Sequence, residues 1–352
     1  KNYSSVREKS MFSENIPVEV YDNLIAAVHE NMAPLQKYFA LRKNILNLDQ
    51  LHIYDTSVPL VKDIHWHVGY DDSVKKIIDA LQLLGPDYTK ILRNGLIEDR
   101  WVDRYESKGK RSGAYSSGCY DSNPFILMNY REDNINSMYT LAHEAGHSMH
   151  SFLSRKAQPY LYADYTIFVA EVASTFNEVL LTKHLLLQDI SKSMKIYLIC
   201  REIDNLRGTL YRQTMFAEFE HLVYAAAEND QPMTLDIFKE IYRKLLEKYF
   251  GEDTILDDCL SIECFRIPHF YFSFYVYKYA TGISAAYALA DMVSEGGTTE
   301  LNDYLNFLKG GGSKYPIDLL KGAGVNMTSP EPVHTALKKF SALVNQLEAL
   351  TS

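Results

Sequence analysis

The sequence predicts a mainly α-helical fold with one small antiparallel sheet, and three observations carry that prediction. Apolar residues recur at helical spacing along most of the 352 residues. One stretch breaks the pattern: KGKRSGAYSSGCYDSNPFILMNY (108–130) is rich in Gly and Ser and closes on an apolar run. Directly after it, YTLAHEAGHSMHSF (139–152) sets three histidines and one glutamate into an otherwise apolar helix.

Taken in order, SENIPVEVYDNLIAAVHENMAPLQKYFALRKNIL (13–46) predicts two antiparallel helices, with Pro17 in a first turn and an interruption near Pro34. HWHVGY (65–70) alternates as a short strand would, and DDSVKKIIDALQLLG (71–85) reads as a capped helix ending at Gly85. SGAYSS and PFILMNY form the two strands of the sheet, around a turn containing Gly118, Asp121, Asn123 and Pro124. Asp133 or Asn134 caps the next helix, which carries the histidines to about Ser154. Residues 166–189, 191–227, 235–249, 270–293 and 330–350 also read as helices, and DYLNFLKGGG and PIDLLKGAG each end at glycine.

Composition removes several functions. A net charge of −9 with no basic run argues against nucleic-acid binding. No uninterrupted apolar stretch reaches the roughly 18 residues of a membrane span. Cys119, Cys200, Cys259 and Cys264 contain no CxxC pair, so a reduced, cytoplasmic chain is expected. The first residues, KNYSSVREKSMFSENIP, lack a Met and an apolar signal core and read as the interior of a longer protein. The excess of tyrosine, 26 against 16 phenylalanines, hints at polar-lined clefts.

On a helix, positions i and i+4 stand about 40° apart in azimuth and about 6 Å apart along the axis. His143 and His147 can therefore clasp one ion. His150 lies about 10.5 Å along the axis from His143, too far to share it, and reads as a neighbour of the ligands or of the substrate. Glu144, about 100° round from His143, stands beside such an ion as a base that takes a proton from the attacking water and passes it to a leaving amine. This is the HExxH arrangement of zinc hydrolases. Gly146 is expensive in a helix interior, by about 1 kcal/mol, and implies the close approach of another backbone.

A catalytic zinc keeps three protein ligands. The third is sought among Asp164, Glu171 and Glu178 on the following segment. Asp164 falls in the connection YLYADY; Glu171 and Glu178 share one face of TIFVAEVASTFNEVLL, a face otherwise too apolar to carry two acids without a reason. Glu171 is the expected ligand, and Glu178 the group that orients a ligating histidine.

These residues resemble the oligoendopeptidase F branch of the thimet oligopeptidase family of zinc metallopeptidases. Four blocks carry the likeness: KRSGAYSSGCYDSNPFILMNY, TLAHEAGHSMHS, QPYLYADYTIFVAEVASTFNE and IPHFYFSFYVYKYATG. The resemblance implies a multi-helix, zincin-like catalytic domain, with its small sheet beside the HExxH helix, lining a deep peptide channel. By its motif, one Zn²⁺ sits on His143, His147 and Glu171 with Glu144 as base. His269, Tyr271, Tyr275 and Tyr277 match family residues that meet the substrate and the developing oxyanion, and Tyr277 matches most securely. The strand from 112 to 117, with Gly113 and Ala114, is expected to pair with an extended peptide. Residues 1–100 then form part of the channel wall and 101–352 the catalytic region, without the N-terminal portion that family members carry. The expected activity is endopeptidase cleavage of short oligopeptides. The alternatives are a peptidyl-dipeptidase of the same fold, and a silent peptide- or zinc-binding module.

Overall fold

The computed structural model describes residues 2–61, 64 and 66–352. In chain order its helices are α1 (Val6–Phe12), α2 (Val18–Glu30), α3 (Met32–Ile45), α4 (Tyr70–Ala80), α5 (Pro86–Ile97), α6 (Ile135–Ala157), α7 (Ile167–Leu186), α8 (Lys192–Leu206), α9 (Arg212–Glu228), α10 (Leu235–Phe250), α11 (Tyr277–Glu295), α12 (Thr298–Leu308), α13 (Pro316–Gly322) and α14 (Glu331–Thr351). The strands are β1 (Leu51–His52), β2 (Val102–Asp103), β3 (Tyr115–Ser117), β4 (Phe125–Leu127) and β5 (Thr254–Ile255). The mainly α expectation holds.

Two compact units interleave along the chain. Unit one comprises Lys1–Lys62, Ser191–Ser284 and Met327–Ser352; unit two comprises Asp63–Ile190 and Ala285–Asn326. Residue 100, where the channel-wall and catalytic regions are expected to meet, lies within unit two. Unit one is a helical assembly in which α14 packs on α2, α3 and α8, and α10 packs on α3 and α9. Its core holds Tyr21, Leu24, Val28, Ile203, Leu206 and Phe340, all essentially inaccessible. β1 and β5 pair in parallel within it.

Unit two is built around α6 and α7, with α4 against both and α12 against α6. Its sheet has the order β2-β4-β3, with β3 antiparallel to β4 as expected and β2 added in parallel. β3 is thus an edge strand. Ser116, on the inward side of β3, meets Ser148 of α6 through hydroxyls 2.8 Å apart, which seats the sheet on the histidine helix. Asn134 caps α6 by accepting from the Asn136 N–H.

Three expectations need correction. The break between α2 and α3 falls at Asn31, and Pro34 sits inside the first turn of α3, where its missing N–H is harmless. Of the strand expected at 65–70, His65 lies outside the described residues, 66–69 have no regular structure and Tyr70 opens α4. Residues 270–276 do not belong to the following helix: the chain runs through a 3-10 turn (Pro268–Tyr271) and reverses at Phe274, whose φ is 56°, before α11 begins.

Candidate metal centre

Helices α6 and α7 run antiparallel at unusually close range. A Cβ on Gly146 would lie 2.5 Å from the Ala173 carbonyl oxygen and 2.6 Å from Ser174 Cα, so only glycine admits α7 here. Tyr139 meets Thr182 through hydroxyls 3.0 Å apart, and Asn177 donates to the Ala142 carbonyl at 3.1 Å. With the backbones held this way, His143, His147 and Glu171 each direct one ligand atom to a common point, all three within 4.8 Å of one another. Glu171 Oε2 lies 3.2 Å from His143 Nε2 and 3.4 Å from His147 Nε2. Two imidazoles and one carboxylate converging at one face form a donor set that fits a zinc-like divalent ion.

Around this group stand the other expected residues of unit two. Glu178 accepts a 2.7 Å hydrogen bond from His143 Nδ1, which leaves Nε2 for the common point. Burial pulls the His143 pKa down, but the bonds to Glu171 and Glu178 outweigh it and raise it to about 10. Glu171 is pushed up by burial and drawn down further by both histidines, ending well below the carboxylate range. Glu144 is 7 % exposed; burial raises its pKa, against the opposing pull of His143, His147 and the Ser116 backbone N–H. A largely buried carboxyl beside two imidazoles is suited to accept a proton and pass it on.

His150 is buried and stacked on Tyr165 at 3.6 Å with the rings parallel to within 2°, and is not among the three residues whose ligand atoms converge. Asp164 leaves the cluster too: its side chain is 92 % exposed beside Arg155. Gly113 and Ala114 precede β3, with Gly113 at φ 88° and its carbonyl held at 3.1 Å by Asn129.

In unit one, His269 stacks on Tyr275 at 5.8 Å, and the Tyr279 hydroxyl lies 3.3 Å from His269 Nε2. Tyr271 is 80 % exposed, whereas Tyr277 is 0 % exposed with its ring against Tyr21. The structure therefore gathers His269, Tyr275 and Tyr279, and sets Tyr277 in the interior. Tyr279 escaped the sequence reading because YVYKY offers alternate tyrosines, and only the path of the preceding loop decides which of them meets His269. The Ser116 N–H beside Glu144 was equally invisible, since a backbone donor leaves no trace in residue identity.

The model of peptidase family M3 matches residues 1–339. Oligopeptidase PepF of Bacillus subtilis is 48% identical over 350 residues, covering 99% of this chain and 52% of its own length. A solved structure from Chlamydophila abortus superimposes with a TM-score of 0.92 at 42% identity, covering 99% of this chain and 58% of that one. The crystal structure of oligoendopeptidase-F from Enterococcus faecium gives 0.79 at 33% identity, covering 99% and 56%. The chain spans little more than half the length of these relatives. Matched along nearly its whole length by one family model, and by a relative sharing almost half its residues, the chain belongs to peptidase family M3.

Proposed function

We propose that the chain carries the catalytic centre of a zinc-dependent endopeptidase that cleaves internal bonds of short oligopeptides in the cytoplasm. The convergence of His143, His147 and Glu171 beside the buried Glu144 is the observation that carries this reading. When bound, Zn²⁺ supplies positive charge that polarises a carbonyl oxygen and acidifies a water. Glu178 holds His143 in the tautomer that presents Nε2. Glu144 takes a proton from the attacking water and delivers it to the departing nitrogen, and burial keeps its affinity for that proton high. The edge strand β3 offers backbone groups to an extended peptide, a mode that reads the substrate's main chain rather than its side chains. His269, Tyr271 and Tyr275 are assigned to substrate contact. Tyr279, not the interior Tyr277, is the phenol placed to support His269. Four unpaired cysteines favour a reducing compartment. No helix among the described residues is long and apolar enough to cross a membrane.

Cleavage of a quenched fluorescent peptide, with metal content measured in parallel, tests the proposal. Glu144→Gln is expected to keep about one zinc per chain and to lose activity by a factor of roughly 10² to 10⁴. Glu171→Ala is expected to lose the zinc, and full metal affinity in that variant would sink the ligand assignment. A wild type that binds zinc fully yet cleaves nothing would instead favour a silent binding module.

A further inference from the structure

Phe274 combines two unfavourable features. Its φ of 56° lies in the left-handed region, a rare and strained conformation for a bulky L-residue. Its backbone N–H is also buried, where an unpaired donor is costly. Both are met from α9. Glu220 Oε1 accepts the Phe274 N–H at 2.5 Å, and the Tyr224 and Ser273 hydroxyls meet at 2.7 Å. The Phe274 ring, 2 % exposed, is wedged between Tyr21 at 5.7 Å and Tyr224 at 4.9 Å.

Glu220 is itself an anomaly, a carboxyl only 3 % exposed whose neighbours one turn away on α9 are Phe216, Ala217, Val223 and Tyr224. Burial pushes its pKa up to about 8, and the Phe274 N–H is the group that pulls it back. An acid buried at such expense needs a dedicated partner, and that N–H is one. The reversal at Phe274 has a direct result: Tyr275, the next residue, is turned back over the His269 ring, and Tyr279 follows one turn into α11 to reach His269 Nε2. Without the reversal, 270–276 would continue as the helix that its residue pattern suggests.

We propose that Glu220 is a positioning residue for the His269 loop: by accepting the Phe274 N–H it fixes the chain reversal that lays Tyr275 against His269. The inference deepens the peptidase reading, on which the kinetic consequence rests, but its structural half stands on unit one alone.

The test compares Glu220→Leu, which removes the acceptor, with Glu220→Gln, whose amide carbonyl can accept the same N–H. Two readouts are taken: the imidazole proton shifts of His269, assigned by difference from His269→Gln, and the steady-state kinetics of peptide cleavage at measured zinc content. Glu220→Leu is expected to move the His269 signals as the Tyr275 ring current is lost, and to raise KM roughly tenfold with zinc content unchanged. Glu220→Gln restores both to within about twofold of wild type. Should Glu220→Leu fail to fold, Glu220→Asp, a carboxyl one methylene too short to reach the Phe274 N–H, replaces it with the same expectation. Wild-type His269 shifts in Glu220→Leu or Glu220→Asp would overturn the proposal, and so would a Gln variant as disturbed as the Leu one. A wild-type chain that cleaves no peptide would refute the peptidase reading, while the His269 shifts would still decide the role of Glu220.

Discussion

Around His143 and His147 the partners stand on helices: Glu171 and Glu178 two turns apart on α7, with Gly146 admitting that helix to backbone contact. Around His269 they stand on a 3-10 turn, a left-handed reversal and the first turn of a helix. The first cluster is charged and set by backbone packing. The second is aromatic and set by a few hydrogen bonds. Helical spacing projects residues to computable places, so the first cluster can be read from a sequence; the second depends on one buried acid elsewhere in the chain.

If the contrast is sound, the largest effects come from disturbing the helix-borne cluster. Glu178→Gln weakens the hold on His143 Nδ1 and is expected to lower metal affinity or peptidase activity about 10–100-fold; zinc titration against a competing chelator measures it, and an unchanged affinity would mean that backbone packing alone orients His143. Next comes Gly146→Ala, whose added methyl meets the Ala173 carbonyl and Ser174 Cα. It is expected to destabilise the fold by about 1–3 kcal/mol in urea unfolding and to loosen metal binding with it. Stability unchanged there would show that α6 and α7 can part without loss. On the aromatic side, Tyr279→Phe removes a single hydrogen bond to His269 and should reduce kcat/KM only about fivefold, at constant zinc. A hundredfold loss would erase the contrast.

The smallest effect at neutral pH is expected at His150. Burial, with a small further push from His147, depresses its pKa to about 3, below the roughly 6.5 of an unfolded histidine. Above pH 6.5 the ring is neutral in both states and carries no penalty. As pH falls from about 6.5 towards 3, the unfolded chain binds a proton that the folded chain refuses, and stability drops. Urea melts at pH 7 and pH 4.5 should therefore show a smaller acid loss for His150→Phe than for wild type. Equal losses would place the acid sensitivity in the carboxylates.

The same contrast explains what was legible beforehand. His143, His147, Glu144 and Glu171 were readable because i, i+4 geometry is fixed, and because acids on an apolar helix face need partners. Gly146 announced a close backbone before that backbone was known. The break before α11 was not readable, since HFYFSFYVYKY contains no Gly or Pro to mark it and the acceptor that pairs the Phe274 N–H stands on α9, about 50 residues earlier in the chain. Nor was the interleaving of the units, because helix faces reveal that they need partners without saying which.

That interleaving orders events during synthesis. Asn23 bonds to the Thr328 carbonyl and Lys37 to Glu348, across 305 and 311 residues, and α2 and α3 both pack on α14. α6 and α7, by contrast, are consecutive helices. A growing chain can close the α6–α7 pair while much of unit one is still unmade. The faces of α2 and α3 that pack on α14 must then wait until α14 has been made. Contacts of such sequence separation are slow to form and expose the chain to association meanwhile. The histidine pair thus stands on helices consecutive in sequence, whereas α2 and α3 are completed only by a helix about 300 residues further along the chain.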